Sequence, residues 1–123
     1  SDLVELLEAA LNGELHNVKA EWDQRVAVGV VLAAGGYPGE YHKGDAVVGL
    51  PPFPNNHVKV FHAGTIEQDG QIVTNGGRVL CVTALGDDLG EARQRAYHIA
   101  DGIRWSGRFF RRDIGHRALD KLK

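Results

Sequence analysis

The stretch VKVFHAGTIEQDGQIVTNGGRVLCVTAL, residues 58–85, decides the architecture. At its centre Asp69-Gly70 separates two apolar-rich runs, Val58–Glu67 and Gln71–Thr74. An Asp-Gly pair adopts the positive φ angles of the tight turn that joins twisted antiparallel strands, so these runs are predicted to form a hairpin around Gln68-Asp69-Gly70. Asn75-Gly76-Gly77 reads as a second tight turn, and Arg78–Leu85 as the next strand. There Val79, Cys81 and Thr83 alternate with Leu80, Val82 and Ala84; neither set is charged, which suits cover on both faces.

Towards the N-terminus, Arg25–Ala34 is a long valine-rich run with the signal of a buried strand. The cluster Gly35-Gly36-Tyr37-Pro38-Gly39 ends it. Asp45–Leu50 reads as a short strand and the proline- and asparagine-rich Pro51–Asn56 as a surface loop. Ser1–Leu11 is helical in pattern: Leu3, Leu6, Leu7, Ala10 and Leu11 share one face, Ser1 is the predicted cap and Gly13 the stop.

Towards the C-terminus, Asp88–Ile103 is predicted helical, with Asp88 and Glu91 spaced as a capping box. Leu89, Ala92, Ala96, Ile99, Ala100 and Ile103 form its apolar stripe, with Arg93, Gln94, Arg95 and Asp101 towards water. Trp105–Phe110 is a candidate last strand, and Gly115 precedes a helical tail, His116–Lys123. The order predicts an α+β fold: a mostly antiparallel, partly barrel-like sheet, one main packed helix and a peripheral N-terminal helix.

Bulk properties narrow the function. At 123 residues the chain supports one core, and 43% apolar with 24% charged residues is ordinary for a globular domain. A net charge of −2 and a pI near 6.3 give no general attraction to nucleic acid or to an anionic membrane. The single cysteine, Cys81, forms no internal disulfide, and no apolar run reaches the ~20 residues that span a bilayer; the cytoplasm is the expected compartment.

Few residues carry chemistry. Six histidines (His16, His42, His57, His62, His98 and His116) show no metal-ligand spacing, so no metal site is expected. His62 reads as hydrogen-bonded within the core. Cys81 sits between Leu80 and Val82, an apolar setting that leaves a thiol inert, and no residue is expected to be catalytic. Arg104, Arg108, Arg111 and Arg112, among Trp105, Phe109 and Phe110, read as a solvated edge with apolar anchors rather than a nucleic-acid surface, since Asp101 and Asp113 flank them. Gly35–Gly39 is first a strand-ending turn. Asn75-Gly76-Gly77-Arg78 is balanced between a plain turn and an anion site, because glycines admit close approach and Arg78 supplies a forked cation suited to phosphate.

Five ordered segments, Gly29–Gly39, Val60–Thr65, Val73–Leu80, Val82–Gly86 and Asp113–Ala118, resemble the tail of the phosphoribosylamine–glycine ligase (glycinamide ribonucleotide synthetase) family. The resemblance implies residues 16–123 as the ligase C-terminal domain and 1–15 as a residual helix from a preceding ATP-grasp region. It implies that the parent joins glycine to 5-phosphoribosylamine, using ATP with Mg²⁺ or Mn²⁺ held upstream, in the second step of purine synthesis. Its partners would be the parent's own ATP-grasp and N-terminal domains, and the fragment alone would be inactive and bind no cofactor. By the same likeness Asn75, Gly76, Gly77 and Arg78 would hold the phosphate of phosphoribosylamine, with Gly35, Gly36, Tyr37, Pro38, His62 and Thr65 lining or supporting the substrate side. Two other expectations stand beside it: a stand-alone sugar-phosphate-binding module, and an interaction domain that docks through Leu3–Leu11.

Overall fold

A computed structural model describes residues 1–52 and 55–121. The middle of the predicted Pro51–Asn56 loop and the last two residues of the predicted tail lie outside the described residues. Among the described residues, two open antiparallel sheets and three α-helices make up the α+β fold. The first sheet runs in the order β1 (Val26–Ala33), β5 (Arg78–Gly86), β2 (Val58–His62); the second pairs β3 (Thr65–Gln68) with β4 (Gln71–Thr74).

The two sheets share one long bent hairpin. Asp69 (φ 52°) and Gly70 (φ 76°) form its tip, as the Asp-Gly pair predicts. The predicted single strand Val58–Glu67 is in fact two, because the chain turns from one sheet into the other at Ala63-Gly64. There the N–H groups of Ala63 and Gly64 both donate to the Val79 carbonyl, each at 3.0 Å. Opposite them Asn75-Gly76-Gly77 is the matching bend of the second arm, not a tight turn of its own. A Cβ on Gly64 would lie 2.7 Å from the Arg78 carbonyl oxygen and 2.8 Å from the Gly76 Cα, so the corner closes only between glycines.

The main helix, α2 (Leu89–Gly102), starts where Asp88 accepts a hydrogen bond from the Glu91 N–H at 2.8 Å, while Glu91 reaches back to the Asp87 N–H at 2.7 Å. Ala92, Ala96, Ala100 and Ile103 have no exposed surface and pack on Val30, Leu32, Leu80, Val82 and Ala84. One sheet face is thus covered. The other stays open, with Val31 42% and Phe61 47% exposed, so the valine-rich run is not a strand buried on both sides.

Two predicted strands are reduced to isolated bridges. Asp45–Leu50 contributes Ala46 to Val73 and Val48 to Arg104, and Trp105–Phe110 contributes Phe109 to Ala33. Gly49 (φ 79°) and Gly107 (φ 77°) adopt left-handed backbone in these segments, which stops a ladder from continuing. The arginines around them are structural. Arg93 was expected to face water; instead it donates to the carbonyls of Ile114 (2.8 Å) and Arg112 (2.7 Å). Arg95 likewise turns inward to the Leu85 carbonyl at 2.7 Å. Arg108 closes the end of α2 through the carbonyls of Ala100 (2.6 Å) and Ile103 (2.8 Å). The Tyr97 hydroxyl donates to Arg111 and accepts from Ile114, leading the chain into α3 (His116–Lys121).

Two ion pairs tie down this C-terminal segment: Arg111 to Asp113 and Arg112 to Asp101, each 2.6 Å. The Arg111 hydrogen bond pulls the Asp113 carboxyl down from the ordinary 3.8 to about 2, and Arg112 lowers Asp101. Because both values are depressed on folding, their contribution is complete above the ordinary carboxylate value and is lost as pH falls through the folded one. Acidification from pH 5 to 2 should therefore loosen residues 111–114 before the sheet core, read as amide exchange. Equal protection of that segment at both pH values would show that the pairs do not hold it.

The N-terminal helix α1 (Leu3–Leu11) is capped by Asp2, whose carboxylate accepts from the Val4 N–H at 2.8 Å. Ser1, the expected cap, instead accepts from the Glu21 N–H at 2.6 Å. Gly13 (φ 71°) ends the helix as predicted: its N–H donates to Ala10 and that of Glu14 to Ala9. Only Ala9 of α1 is buried; Leu3, Leu7 and Leu11 are exposed, as is Trp22 beyond them.

Candidate functional site

The bend of the long hairpin, the end of β1 and the loop after it enclose an open cleft of about 620 Å³. Asn75, Gly76, Gly77 and Arg78 form one wall and Tyr37 and Tyr41 the other. The wall is built from the sequence upward. A register shift between Leu32 and Ala33 sets Ala33 opposite Arg78. The Ala34 N–H then donates to the Gly77 carbonyl at 2.8 Å, and Asn75 to the Gly64 carbonyl at 2.7 Å. No described residue accepts from the N–H of Gly76 or Gly77.

The glycines serve packing as much as access. A Cβ on Gly77 would run into the Tyr37 ring and lie 3.1 Å from Tyr41 Cε1. The Gly76 Cα is pressed against Gly64. Gly36 (φ 93°) is fixed for a similar reason, because a Cβ there would collide with the Glu40 carbonyl oxygen. The following Tyr37–Pro38 peptide bond is cis.

Of the residues singled out in the sequence, the structure thus gathers Asn75, Gly76, Gly77, Arg78 and Tyr37 around one cleft. Gly35, Gly36 and Pro38 shape the loop but do not line it. Gly35 packs on the backbone of Gly107. His62 is exposed, not in the core; its Nδ1 lies 2.9 Å from the Thr65 hydroxyl, and Ala63-Gly64 between them reach the cleft. Tyr41, Val31, Leu80 and Cys81 also line it and were not anticipated. A second tyrosine four residues after Tyr37 was the one sequence signal available for Tyr41.

The Arg78 side chain is exposed and forms no hydrogen bond or ion pair with any described residue, unlike those of Arg93, Arg95, Arg108, Arg111 and Arg112. Cys81 is half-buried, its sulfur 3.6 Å from the Thr83 hydroxyl. A guanidinium, a carboxamide, two backbone N–H groups and two phenols present mainly donors. That chemistry suits an oxyanion and not a divalent cation. No three His, Cys, Asp or Glu side chains come together as a metal cage among the described residues. No described helix is long and apolar enough to cross a membrane.

Comparison with known proteins adds three findings. The family model described as phosphoribosylglycinamide synthetase, C domain, matches residues 27–117. The chain is 60% identical over 119 residues to the phosphoribosylamine–glycine ligase of Vibrio cholerae, covering 97% of this chain and 28% of that protein. It is 56% identical over 121 residues to the ligase of the same name from Haemophilus influenzae, again 28% of that protein. The crystal structure of phosphoribosylamine–glycine ligase from Thermotoga maritima matches with a TM-score of 0.72 at 39% identity, over 89% of this chain and 27% of that one. The chain therefore spans little more than a quarter of the length of the relatives it matches.

Proposed function

This chain belongs to the phosphoribosylglycinamide synthetase C-domain family, and on that premise we propose that it is the sugar-phosphate-holding lobe of an ATP-dependent ligase. That ligase would join glycine to 5-phosphoribosylamine and form glycinamide ribonucleotide, the second step of purine synthesis, in the cytoplasm. The observation that carries the reading is the uncommitted Arg78 guanidinium beside the unbonded N–H groups of Gly76 and Gly77. A forked cation next to paired backbone donors is the arrangement that phosphate oxygens fill well. The likeness to whole ligases supports the identity of the substrate.

In this reading Asn75–Arg78 contact the phosphate, Tyr37 walls the cleft, and Gly35, Gly36, Pro38, His62 and Thr65 support it from behind. The cleft chemistry does not fit a metal, so ATP with Mg²⁺ or Mn²⁺ is assigned to the remainder of the longer chain, together with the ATP-grasp and N-terminal domains. This lobe then supplies no catalytic residue. It holds one substrate in place while the bond is made elsewhere, and by itself forms no product.

The test is Arg78→Ala in the full-length ligase. Loss of a charge-assisted phosphate contact is expected to raise KM for phosphoribosylamine by about ten- to a hundredfold. Unchanged KM and kcat would remove Arg78 from the site. A second reading, docking through the N-terminal helix, is favoured by the exposure of Leu3, Leu7 and Leu11. It and the first are compatible if residues 1–15 belong to a neighbouring unit of the same ligase; loss of self-association on deleting Ser1–Leu11 would instead favour an independent interaction domain.

A further inference from the structure

The central strand β5 alternates two uncharged sets of side chains, the pattern of a strand covered on both faces. Helix α2 covers only one of those faces. The strand register lays out the other. Val31, Cys81 and Phe61 stand side by side across β1, β5 and β2, and Gly29, Thr83 and Lys59 form the next row. Adjacent strands bring such cross-strand neighbours to roughly 5 Å on one face. Gly29, Val31, Lys59 and Phe61 are exposed; Cys81 and Thr83 are half-buried. An antiparallel sheet that faces water carries polar residues on its wet side. This one carries valine, phenylalanine and glycine there, with no Asp or Glu at positions 27, 29, 31, 57, 59, 61, 81, 83 and 85.

The face is also level at its centre. A Cβ on Gly29 would lie 3.3 Å from the Cys81 sulfur and 3.6 Å from the Thr83 hydroxyl, so two small side chains lean over the glycine and occupy its place. The Lys59 ammonium lies 5.0 Å from the Phe61 ring centroid, and no described carboxylate pairs with it.

Three observations bear on what covers this face. The chain spans only 28% of the Vibrio cholerae relative and 27% of the Thermotoga maritima structure, so most of such a protein lies outside it. The face runs into the cleft, because Val31 and Cys81 line that as well. A body seated on the face thus stands at the cleft mouth, where the amine of a held substrate has to meet glycine. The charge is one-sided: two copies laid face to face would bring lysines together with no counter-charge, an arrangement that opposes association.

We propose that the open face of the β1–β5–β2 sheet is the docking surface for the remainder of the longer ligase chain, which covers it with an apolar surface carrying a carboxylate for Lys59. The proposal rests on the reading of this chain as one lobe of such a ligase, and names the surface by which that lobe is held.

The test compares side-chain labelling of the 123-residue chain and of the full-length ligase, resolved by peptide in a mass spectrometer. Cys81 with iodoacetamide and Lys59 with acetic anhydride should react about ten-fold more slowly in the full-length enzyme. Lys121, on the helix that packs against α2 on the opposite side of the sheet, should react equally in both. Thr83→Arg puts a charge on the face outside the cleft lining. It should leave the 123-residue chain folded, with its ribose 5-phosphate shifts at residues 75–78 intact, and lower kcat of the full-length ligase by about ten-fold or more, whereas Thr83→Ser should not. Equal labelling of Cys81 and Lys59 in the two proteins overturns the docking surface; ribose 5-phosphate shifts at residues 75–78 would then leave the Arg78 reading standing. Protection in the full-length enzyme without any ribose 5-phosphate shift keeps the surface and removes the sugar-phosphate reading. Protection already present in the concentrated 123-residue chain and lost on dilution makes a second copy the occupant, and overturns the proposal.

Discussion

Gly64→Ala should destabilise the domain by about 2–3 kcal/mol and weaken sugar-phosphate binding by more than that loss of folded protein explains. The new methyl group has nowhere to go: its position is 2.7 Å from the Arg78 carbonyl oxygen, 2.8 Å from the Gly76 Cα and 3.1 Å from the Gly76 nitrogen. All three neighbours are backbone, so relief requires the two arms of the hairpin to part, and overpacking of this kind costs about 1–3 kcal/mol or more. Parting the arms also stretches the hydrogen bond from Asn75 N–H to the Gly64 carbonyl, which sets the bend that presents Arg78. Denaturant unfolding and ribose 5-phosphate titration of the same variant separate the two effects. A variant with unchanged stability and unchanged affinity would show that the corner yields freely and does not position the cleft.

Ala96→Leu should cost about 3 kcal/mol and leave the cleft untouched in whatever fraction remains folded. Ala96 has no exposed surface, and with Ala92 and Ala100 it lets α2 lie close on β1 and β5. Closeness continues at the helix start, where a Cβ on Gly86 would strike the Ala92 nitrogen. A leucine needs three further heavy atoms of room, and interiors at this density have none to give without moving the helix off the sheet. Thermal unfolding measures the loss. A melting temperature within a degree or two of the parent would mean that the helix–sheet interface holds slack.

The pairing of these two variants reflects what the amino-acid sequence does and does not reveal. Asp69-Gly70, the Asp88–Glu91 cap and the Gly13 stop are local devices, each complete within four or five residues, and all three stand in the structure as read. The break at Ala63-Gly64 is of another kind. Its cause is the approach of Gly76 from the other arm, and nothing near Gly64 in the sequence announces it. Arg93 and Arg95 were placed towards water because they lie off the apolar stripe of α2; their partners are backbone carbonyls of Ile114, Arg112 and Leu85, which carry no residue-type signal. At the cleft, Asn75–Arg78 were legible through their glycines and their cation. Tyr41 was not, since only the hydrogen bonds to Thr74 bring that loop alongside.

The shared hairpin also dictates an order of assembly. Its tip needs only the few residues around Asp69-Gly70 to close, and each further pair from Gln68–Gln71 to Thr65–Thr74 and on through Val58–Ala84 adds to the last, so β2 to β5 can zip from one local start. β1 has no such neighbour: even its nearest pairing in sequence joins Ala33 to Arg78, and closing so long a loop is entropically costly before the contacts repay it. The strand that carries the chain into the Gly35–Tyr41 wall is therefore expected to join the sheet after β2 to β5 have paired. On that order a nascent domain would hold the Arg78 side of its cleft before it holds the tyrosine side.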